Sequence, residues 1–347
     1  QDLTDDILPL ATQFGQSKNL VVNGAMNVAQ RGTSSTSSGY HTVDRFQVTF
    51  SGTDEAPTQA QVDVASGTTP YTLGFRKALK ITNGNQTGGA GATDHIRIRH
   101  VIEGQDIANS GWNYLSSSSN ITLSFWVKSS VAQNFYAFIR NTDGTMYQYP
   151  FETGSLTADT WTKVTKTIPG NSNLQFDNDN GDAWELYIHQ FAGTDETASG
   201  VTLNAWATYS GTAKMPDFTS TWYTTDDATF EITGVQLEVG AQATPFEHRT
   251  FIEELTLCQR YYFQGDGQEP GASLNAYYGS QYGSSNAMIN IYFPTTMRAK
   301  PTVTNPTHGG GGSLAAVYET FNSIHINITG DTSVYVAPSE IKCSAEL

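Results

Sequence analysis

Hydrophobic and polar residues alternate along most of the chain between Asn19 and Glu247, in short segments that end at turn residues. A period of two is typical of strands with one buried face, and the NG, DG and PG pairs that follow supply the backbone conformations of tight turns. So many short strands favour a mainly β fold, a jelly-roll β-sandwich. We predict eight strands, at 43–50, 78–84, 95–104, 121–130, 135–144, 161–170, 184–193 and 229–240.

The segment HIRIRHVIEG shows the alternation most clearly and predicts which side chains enter the core. Ile96, Ile98 and Val101 are expected to face inward, and Arg97 and Arg99 outward. Long connections between strands can carry binding residues, because loops on a rigid scaffold often hold function. We expect such loops at 51–75 and 194–225.

One segment, 249–263, departs from the β pattern and has helical spacing. The apolar residues that recur on one helix face are Phe251, Leu255, Cys258 and Tyr262. Thr250, followed three residues later by Glu253, predicts a capping box at the helix start. The segment is either a linker helix packed on its own domain or, through that apolar face, a seam between subunits.

The two ends of the chain differ from its centre. Residues 1–18 carry four apolar anchors and are expected to form a short helix, an attachment arm or a frayed end. A small C-terminal β domain is expected to need the larger domain or other subunits, because few residues bury little surface alone. Its strand candidates are 287–297, 301–307, 323–329 and 341–347. The predicted domain plan is 1–18, 19–248, 249–263 and 264–347.

The charge balance of the 347 residues excludes several classes of protein. The formal net charge is −15 and only 15% of residues are charged, which argues against a broad basic face for nucleic acid. No run of apolar residues is long enough for a membrane span, so we expect no membrane insertion. The 17 Phe, 17 Tyr and 6 Trp supply ample surface for a core, which argues against disorder.

Three blocks of the sequence stand out: NLVVNGAMNVAQRGTS (19–34) with YHTVDRFQV (40–48), ITLSFWVKSS (121–130) with WTKVTKTIPG (161–170), and FEITGVQLEVGAQATPFEHRTFIEELTLCQRYYF (230–263). In order and spacing they resemble the bacteriophage tail fibre and receptor-binding proteins with a jelly-roll domain like a carbohydrate-binding module. The resemblance covers about 19–263, and FPTTMRAKPTVT (293–304) with the final SAEL resembles the C-terminal module of such proteins.

This resemblance implies a non-enzymatic adhesin of the virion tail that binds glycan on the host cell surface. It implies a homotrimer, assembled in the host cytoplasm and attached to other tail proteins through its N-terminal end. Cys258 and Cys343 are then expected to be free thiols, because that compartment is reducing. Two alternatives stay open: a structural virion protein, such as a capsid decoration or tail-hub component that makes only protein contacts, and a carbohydrate-active enzyme or its accessory module.

Aromatic rings beside small polar residues are well suited to binding sugars, because Tyr and Trp give large, rigid contacts at low entropic cost. Half of these rings are expected to be core or subunit contacts instead. The candidate glycan-binding residues are Tyr277, Tyr278 and Tyr282 in NAYYGSQYGSSN; Trp206, Tyr209, Trp222 and Tyr223 in the connection 194–225; and Trp112 and Tyr114 before SSSSN.

Metal and catalytic motifs are sparse. In DNDNGD, Asp177, Asp179 and Asp182 offer the oxygen ligands that calcium prefers, although a solvated turn explains the same residues. Related sugar-binding jelly rolls often hold a structural calcium after their opening Asn-Gly, where this chain has no acidic residue in Ala25–Asn27. No HExxH or GxSxG motif occurs, so no catalytic residue is assigned; no cofactor is required, and Ca2+ is the only one suggested.

Overall fold

The computed structural model describes residues 18–265, 277–304, 306–336 and 341–347. Antiparallel strands dominate these ranges, which confirms the mainly β prediction. Residues 1–17 of the predicted N-terminal segment lie outside the described residues. No helix in the described ranges is long and apolar enough to cross a membrane.

Two six-stranded antiparallel sheets form the larger part of the fold. Sheet I contains, in spatial order, β1 (Ser34–Ser35), β3 (Thr58–Asp63), β4 (Lys77–Thr82), β12 (Thr229–Val239), β6 (Asn120–Ser129) and β9 (Thr162–Pro169). Sheet II contains β11 (Ala207–Thr208), β8 (Tyr147–Ser155), β7 (Asn134–Asn141), β10 (Asp182–Ala192), β5 (His95–Glu103) and β2 (Phe46–Ser51). Both sheets contribute to one buried core that includes Phe46, Phe125, Phe135, Trp184 and Phe230.

All eight strands predicted between residues 43 and 240 are present, with ends shifted by a few residues. Strand β8 was not predicted, because Pro150 stands in its middle and proline cannot donate to a ladder. The sheet tolerates this proline beside the short edge strand β11. The expected loop 51–75 contains β3 and a four-residue helix, α1 (Thr69–Thr72), and so is more regular than its composition indicated.

Strand β5 carries its side chains as the alternation predicted, with one exception. Ile96 and Ile98 enter the core, but Val101 is buried on the opposite face, which it shares with Arg97 and Arg99. His100 occupies the inward position instead, with its ring 4.8 Å from that of Phe46. A short helix, α2 (Gly104–Ala108), follows the strand.

Helix α3 (Phe251–Gln259) begins with the predicted capping box: Thr250 Oγ1 accepts from the Glu253 amide, and the Glu253 carboxylate accepts from the Thr250 amide at 2.8 Å. The helix ends earlier than its apolar pattern indicated. Tyr262 belongs to the next strand, because its backbone pairs with Ser344 in the C-terminal module.

Within its described residues, the C-terminal module has three small sheets, and its core is rich in isoleucine and separate from that of the sandwich. Its strands are β13 (Tyr262–Gln264), β14 (Tyr277–Tyr278), β15 (Ser280–Gln281), β16 (Asn286–Tyr292), β17 (Thr302–Thr304), β18 (His308–Gly309), β19 (Ser313–Glu319), β20 (Ser323–Thr329), β21 (Tyr335–Val336) and β22 (Lys342–Ser344). The largest sheet has the order β15-β16-β20-β19.

A buried ion cluster, which we call the Glu346 clamp, joins the module to the sandwich. Glu346 pairs with Arg45, which is 1% exposed, and with Arg31 at 3.1 Å. The two guanidinium groups also stack on the rings of Tyr261 and Tyr262, at 3.4 and 3.5 Å from the ring centroids. Because Arg31 and Arg45 belong to the sandwich and Glu346 to the C-terminal module, the clamp holds one domain against the other.

Candidate functional site

The outer face of the sheet β15-β16-β20-β19 is polar and aromatic, and it faces away from the core of the module. Strand β20 directs Ile324, Ile326 and Ile328 into the core and presents the alternate residues on the other face. Strand β16 alternates in the same way. The residues that share the outer face include Asn290, Tyr292, Tyr318, His325 and Asn327.

Hydrogen bonds hold the imidazole of His325 at the centre of this face. In the strand register, His325 lies between Asn290 on β16 and Tyr318 on β19. Its Nδ1 is 2.5 Å from Asn290 Oδ1, and its Nε2 is 3.1 Å from Ser323 Oγ. Both ring nitrogens therefore have partners, and the ring orientation is set before any ligand arrives.

Asn327 lies next along β20 and offers an unused acceptor. Its Nδ2 donates to the hydroxyl oxygen of Tyr282 at 3.3 Å. Its Oδ1 is buried and receives no hydrogen bond from the residues that the structure describes. A buried acceptor without a partner is costly, so this position is poorly satisfied in the unliganded protein.

Three exposed tyrosines surround these polar groups. The exposed fractions are 46% for Tyr282, 73% for Tyr292 and 54% for Tyr318. Tyr292 and Tyr318 lie on strands separated by β20 and two residues apart along the register, so their Cα atoms are about 12 Å apart. We call this surface the tyrosine face; it consists of Tyr282, Asn290, Tyr292, Tyr318, His325 and Asn327.

Among the glycan-binding residues predicted from the sequence, only Tyr282 lies on the tyrosine face. Tyr278 is also exposed, but on another small sheet with its ring 5.9 Å from that of Tyr335. Tyr277 packs against the core of the module. The strict alternation in AMINIY and SIHINIT was the available signal for the others, since it places polar and aromatic residues together on one face.

The aromatic residues predicted in the connection 194–225 are largely structural. Trp222 and Tyr223 are buried in the sandwich core, so their assignment to a glycan site is wrong. Trp222 Nε1 donates to Thr229 O at 3.0 Å, and the Tyr223 hydroxyl donates to Asp94 at 3.0 Å. Trp206 and Tyr209 are half-buried, the first donating to Pro169 O at 2.7 Å. The connection folds back over the sandwich because its rings complete the core.

The aromatic pair before SSSSN, Trp112 and Tyr114, is also largely structural. Trp112 is buried with its ring 5.7 Å from that of Trp184, so its assignment to a glycan site is also wrong. Tyr114 is half-buried and meets Phe176 edge to face at 4.9 Å. Aromatic loop residues resemble binding residues in sequence, but here they close one end of the sandwich.

The three aspartates of DNDNGD do not gather into a metal site. Asp177 Oδ1 accepts from Gln175, Asp179 Oδ1 accepts from the Gly181 amide, and Asp182 lies 3.5 Å from Arg99. Within the described ranges, no group of three or more His, Cys, Asp or Glu side chains could hold a metal ion. The local hydrogen bonds explain the sequence as a turn before β10.

The predicted subunit seam on α3 is wrong at two of its four residues. Cys258 and Tyr262 are buried within the chain itself, and Leu255 is half-buried. Phe251 and its neighbour Ile252 are exposed. Both cysteines are free, as predicted. Burial raises the pKa of the Cys258 thiol well above its usual value, which keeps it protonated.

The outer face of sheet II is closed by its own ion pairs. Glu185 lies between Arg99 and Arg140, and the hydroxyl of Tyr187 donates to the same carboxylate at 3.2 Å. Although burial acts to raise the pKa of Glu185, hydrogen bonds and charge from Arg140 and Arg99 lower it overall. Glu185 is thus shared by the two arginines, and Arg99 has a second acidic partner in Asp182 at 3.5 Å, so the cations of this cluster are engaged within the chain.

No family model matches the chain, and no curated protein matches it. Solved structures similar to this chain include an enzymatically active domain of tailspike protein 4 from bacteriophage CBA120, with 12% identity and a TM-score of 0.34. That similarity covers 64% of this chain, which spans only 21% of the tailspike chain.

Two other solved structures are isolated binding proteins. A putative sugar-binding protein from Bacteroides thetaiotaomicron has 13% identity and a TM-score of 0.31, over 64% of this chain and 100% of that chain. A family 11 carbohydrate-binding module from Clostridium thermocellum has 10% identity and a TM-score of 0.27, over 61% and 98% of the two chains. The solved structures similar to this chain thus include a phage tailspike domain and carbohydrate-binding proteins.

Proposed function

We propose that this protein is a non-enzymatic glycan-binding protein and that the tyrosine face is its binding surface. The observation that carries the proposal is the combination of three exposed tyrosine rings with an oriented imidazole and an unsatisfied buried amide oxygen. Sugars need both kinds of contact, because a pyranose ring has apolar C–H faces and a rim of hydroxyl groups.

The arrangement is well prepared for binding. His325 and Asn290 are already held by their mutual hydrogen bond, so little side-chain entropy is lost when a ligand arrives. Tyr292 and Tyr318 have few rotatable bonds, and each offers a flat surface for stacking. Asn327 Oδ1 lies beneath this surface without a hydrogen-bond partner among the described residues, so a sugar hydroxyl would reach it only if the surface opened.

The tyrosine face contains no carboxylate and no Lys or Arg. Binding there should therefore change little with ionic strength, since screening acts on charges. This matches the net charge of −15, which gives no general attraction to an anionic cell surface. Short-range contacts rather than long-range steering would provide the specificity.

The broader biological role follows from the sequence resemblance. We propose a homotrimeric receptor-binding protein of a phage tail, which would meet the host through the C-terminal module. A single sugar site would be weak, and several sites on one particle would raise the avidity by about 10²–10⁴. Attachment to other tail proteins through the N-terminal end is part of the same proposal.

Three acidic side chains of the sandwich, Glu103, Glu231 and Glu238, already have partners within the chain. Glu103 pairs with Arg260 at 2.7 Å, Glu231 with Lys128 at 3.0 Å, and Glu238 accepts from Thr244 at 2.6 Å. Despite the opposing effect of burial, hydrogen bonds from Arg260 lower the pKa of Glu103. A glycosidase needs one carboxyl group that remains protonated as the acid, and the pairing with Arg260 disfavours that form of Glu103.

The direct test is the binding of purified protein to intact host cells and to a glycan array. Tyr292→Ala with Tyr318→Ala should reduce binding at least about tenfold, because each tyrosine ring stacked on a sugar is worth about 1 kcal/mol. Tyr278→Ala is the matched control, since it removes an exposed tyrosine outside the tyrosine face. Unchanged binding by the double variant would overturn the proposal.

A further inference from the structure

A cavity lies on the outer face of sheet I, in the sandwich and away from the tyrosine face. Its volume is about 410 Å³. The half-buried ring of Trp126 on β6 lies on one side, and residues from two loops lie on the other. We call it the Trp126 pocket. The residues that line it and could contact a ligand include Phe75, Ser124, Trp126, Lys163, Phe246 and His248.

The pocket depends on an irregularity in strand β12. The pairing of β12 with β6 shifts register between Thr233 and Gln236, and Gly234 in this bulge has a φ of +66°. A Cβ atom at Gly234 would lie 2.6 Å from Cζ of Phe75, so only glycine lets this ring sit against the strand. The aromatic wall is therefore fixed by the backbone.

Three rings support one another on this wall. The centroid of Phe75 lies 4.9 Å from that of Phe246 and 5.1 Å from that of His248, and Phe246 and His248 are 4.9 Å apart. His248 is held further by a hydrogen bond between its Nε2 and Leu73 O at 2.9 Å. With Trp126, these rings give a ligand apolar surface without a large change in conformation.

Polar groups occur at specific places around the rings. Ser124 shares the outer face with Trp126, and its hydroxyl forms no hydrogen bond with another described residue. Lys163 lies directly opposite Trp126 in the β6–β9 register, is exposed and forms no salt bridge with any described residue. An unpaired ammonium group beside a ring pocket is complementary to a ligand that combines a ring with a negative charge.

We infer that the Trp126 pocket binds an acidic pyranose, with the sugar ring between Trp126 and the Phe75 wall and its carboxylate on Lys163. Ser124 would receive or donate a hydrogen bond at a ring hydroxyl. This inference goes beyond the proposed function, because it assigns a second site, on another domain, to one chemical class of sugar. The two sites also differ in the interaction that each uses: binding in the Trp126 pocket depends on the charge of Lys163, whereas the tyrosine face carries no charge.

The probe is D-glucuronate, with D-glucose as the neutral counterpart, titrated into the full chain by calorimetry. Lys163→Gln should weaken glucuronate binding about tenfold, as expected for loss of a charge-assisted hydrogen bond. It should leave the weaker glucose binding unchanged. Lys163 is exposed, so its replacement leaves the fold intact. Lys342→Gln is the matched control, because Lys342 is also exposed but lies in the C-terminal module, and this variant should bind like the parent protein.

Absence of glucuronate binding, or equal affinity in the parent and the Lys163→Gln variant, would overturn the inference. If the pocket bound N-acetyltyrosinamide instead of glucuronate, the inference would also be overturned, because the pocket would then accept a protein side chain. Trp126→Ala is expected to abolish glucuronate binding while circular dichroism stays unchanged. The tyrosine-face variants should retain glucuronate binding, so failure of the proposed function can be distinguished from failure of this inference.

Discussion

The Glu346 clamp gives the sharpest stability prediction. Replacing Glu346 by Gln keeps the shape of the side chain but leaves Arg45, which is 1% exposed, without its carboxylate partner. Removing one member of a buried ion pair costs about 3–5 kcal/mol, because the remaining charge is neither solvated nor paired. Arg45 keeps a hydrogen bond to Val101 O at 2.7 Å and its contact with Tyr261, so we expect about 3 kcal/mol.

Urea unfolding followed by tryptophan fluorescence measures this cost. All six tryptophans lie between residues 112 and 222, so the signal reports on the sandwich that contains Arg45. Asp63→Asn is the control, because its pair with Lys77 is exposed and should contribute less than about 1 kcal/mol.

A double replacement separates the ion pair from general packing. Arg45→Met combined with Glu346→Leu removes both charges, and it should cost less than the sum of the single replacements by at least about 1 kcal/mol. A loss below about 0.5 kcal/mol for Glu346→Gln, similar to that of the exposed control, would refute the buried-charge reasoning.

Three further predictions concern pH, the helix start and calcium. The pKa of His100 is lowered to about 3 by burial and by Arg45, so the unfolded chain takes up the proton first and stability falls below about pH 6.5. The difference in unfolding free energy between the parent protein and His100→Asn should therefore shrink by about 1.4 kcal/mol per pH unit from pH 6.5 towards 3, and parallel pH profiles in urea unfolding would contradict this. Thr250→Ala should cost about 1 kcal/mol in thermal unfolding by loss of the capping box, whereas exposed Thr256→Ala should cost little. Millimolar calcium should leave the melting temperature unchanged, since the DNDNGD carboxylates have other partners; a clear rise would reopen the metal prediction.

The strands were predictable because burial of one face leaves a period of two in the sequence. Strand β8 was not predictable, because a proline such as Pro150 normally ends a strand. A strand next to the edge of the sheet nevertheless tolerates this proline. The end of α3 was hidden for a different reason. Tyr262 continues the apolar helix pattern, and only its pairing with Ser344, far along the chain, makes it a strand residue.

The site was harder to predict than the fold. Trp112, Trp222 and Tyr223 lie in loop-like sequence, yet long-range folding buries them, and local composition carries no information on that. In the sequence, Tyr292 and Tyr318 are isolated tyrosines within alternating segments. They share one surface only because β16, β20 and β19 pair. A search for clustered aromatic residues in the sequence therefore finds rings that are adjacent in the chain and misses rings that are adjacent in space.

The position of β12 has a consequence for how the protein is made. This strand is the last of the sandwich in sequence, but it lies in the middle of sheet I, between β4 and β6. Sheet I therefore cannot close until residue 239 has left the ribosome, and β4 and β6 expose their inner edges until then. Such long-range pairing slows folding and leaves strands open to association with other chains. Recombinant production should therefore gain more from slow synthesis at low temperature than from strong expression.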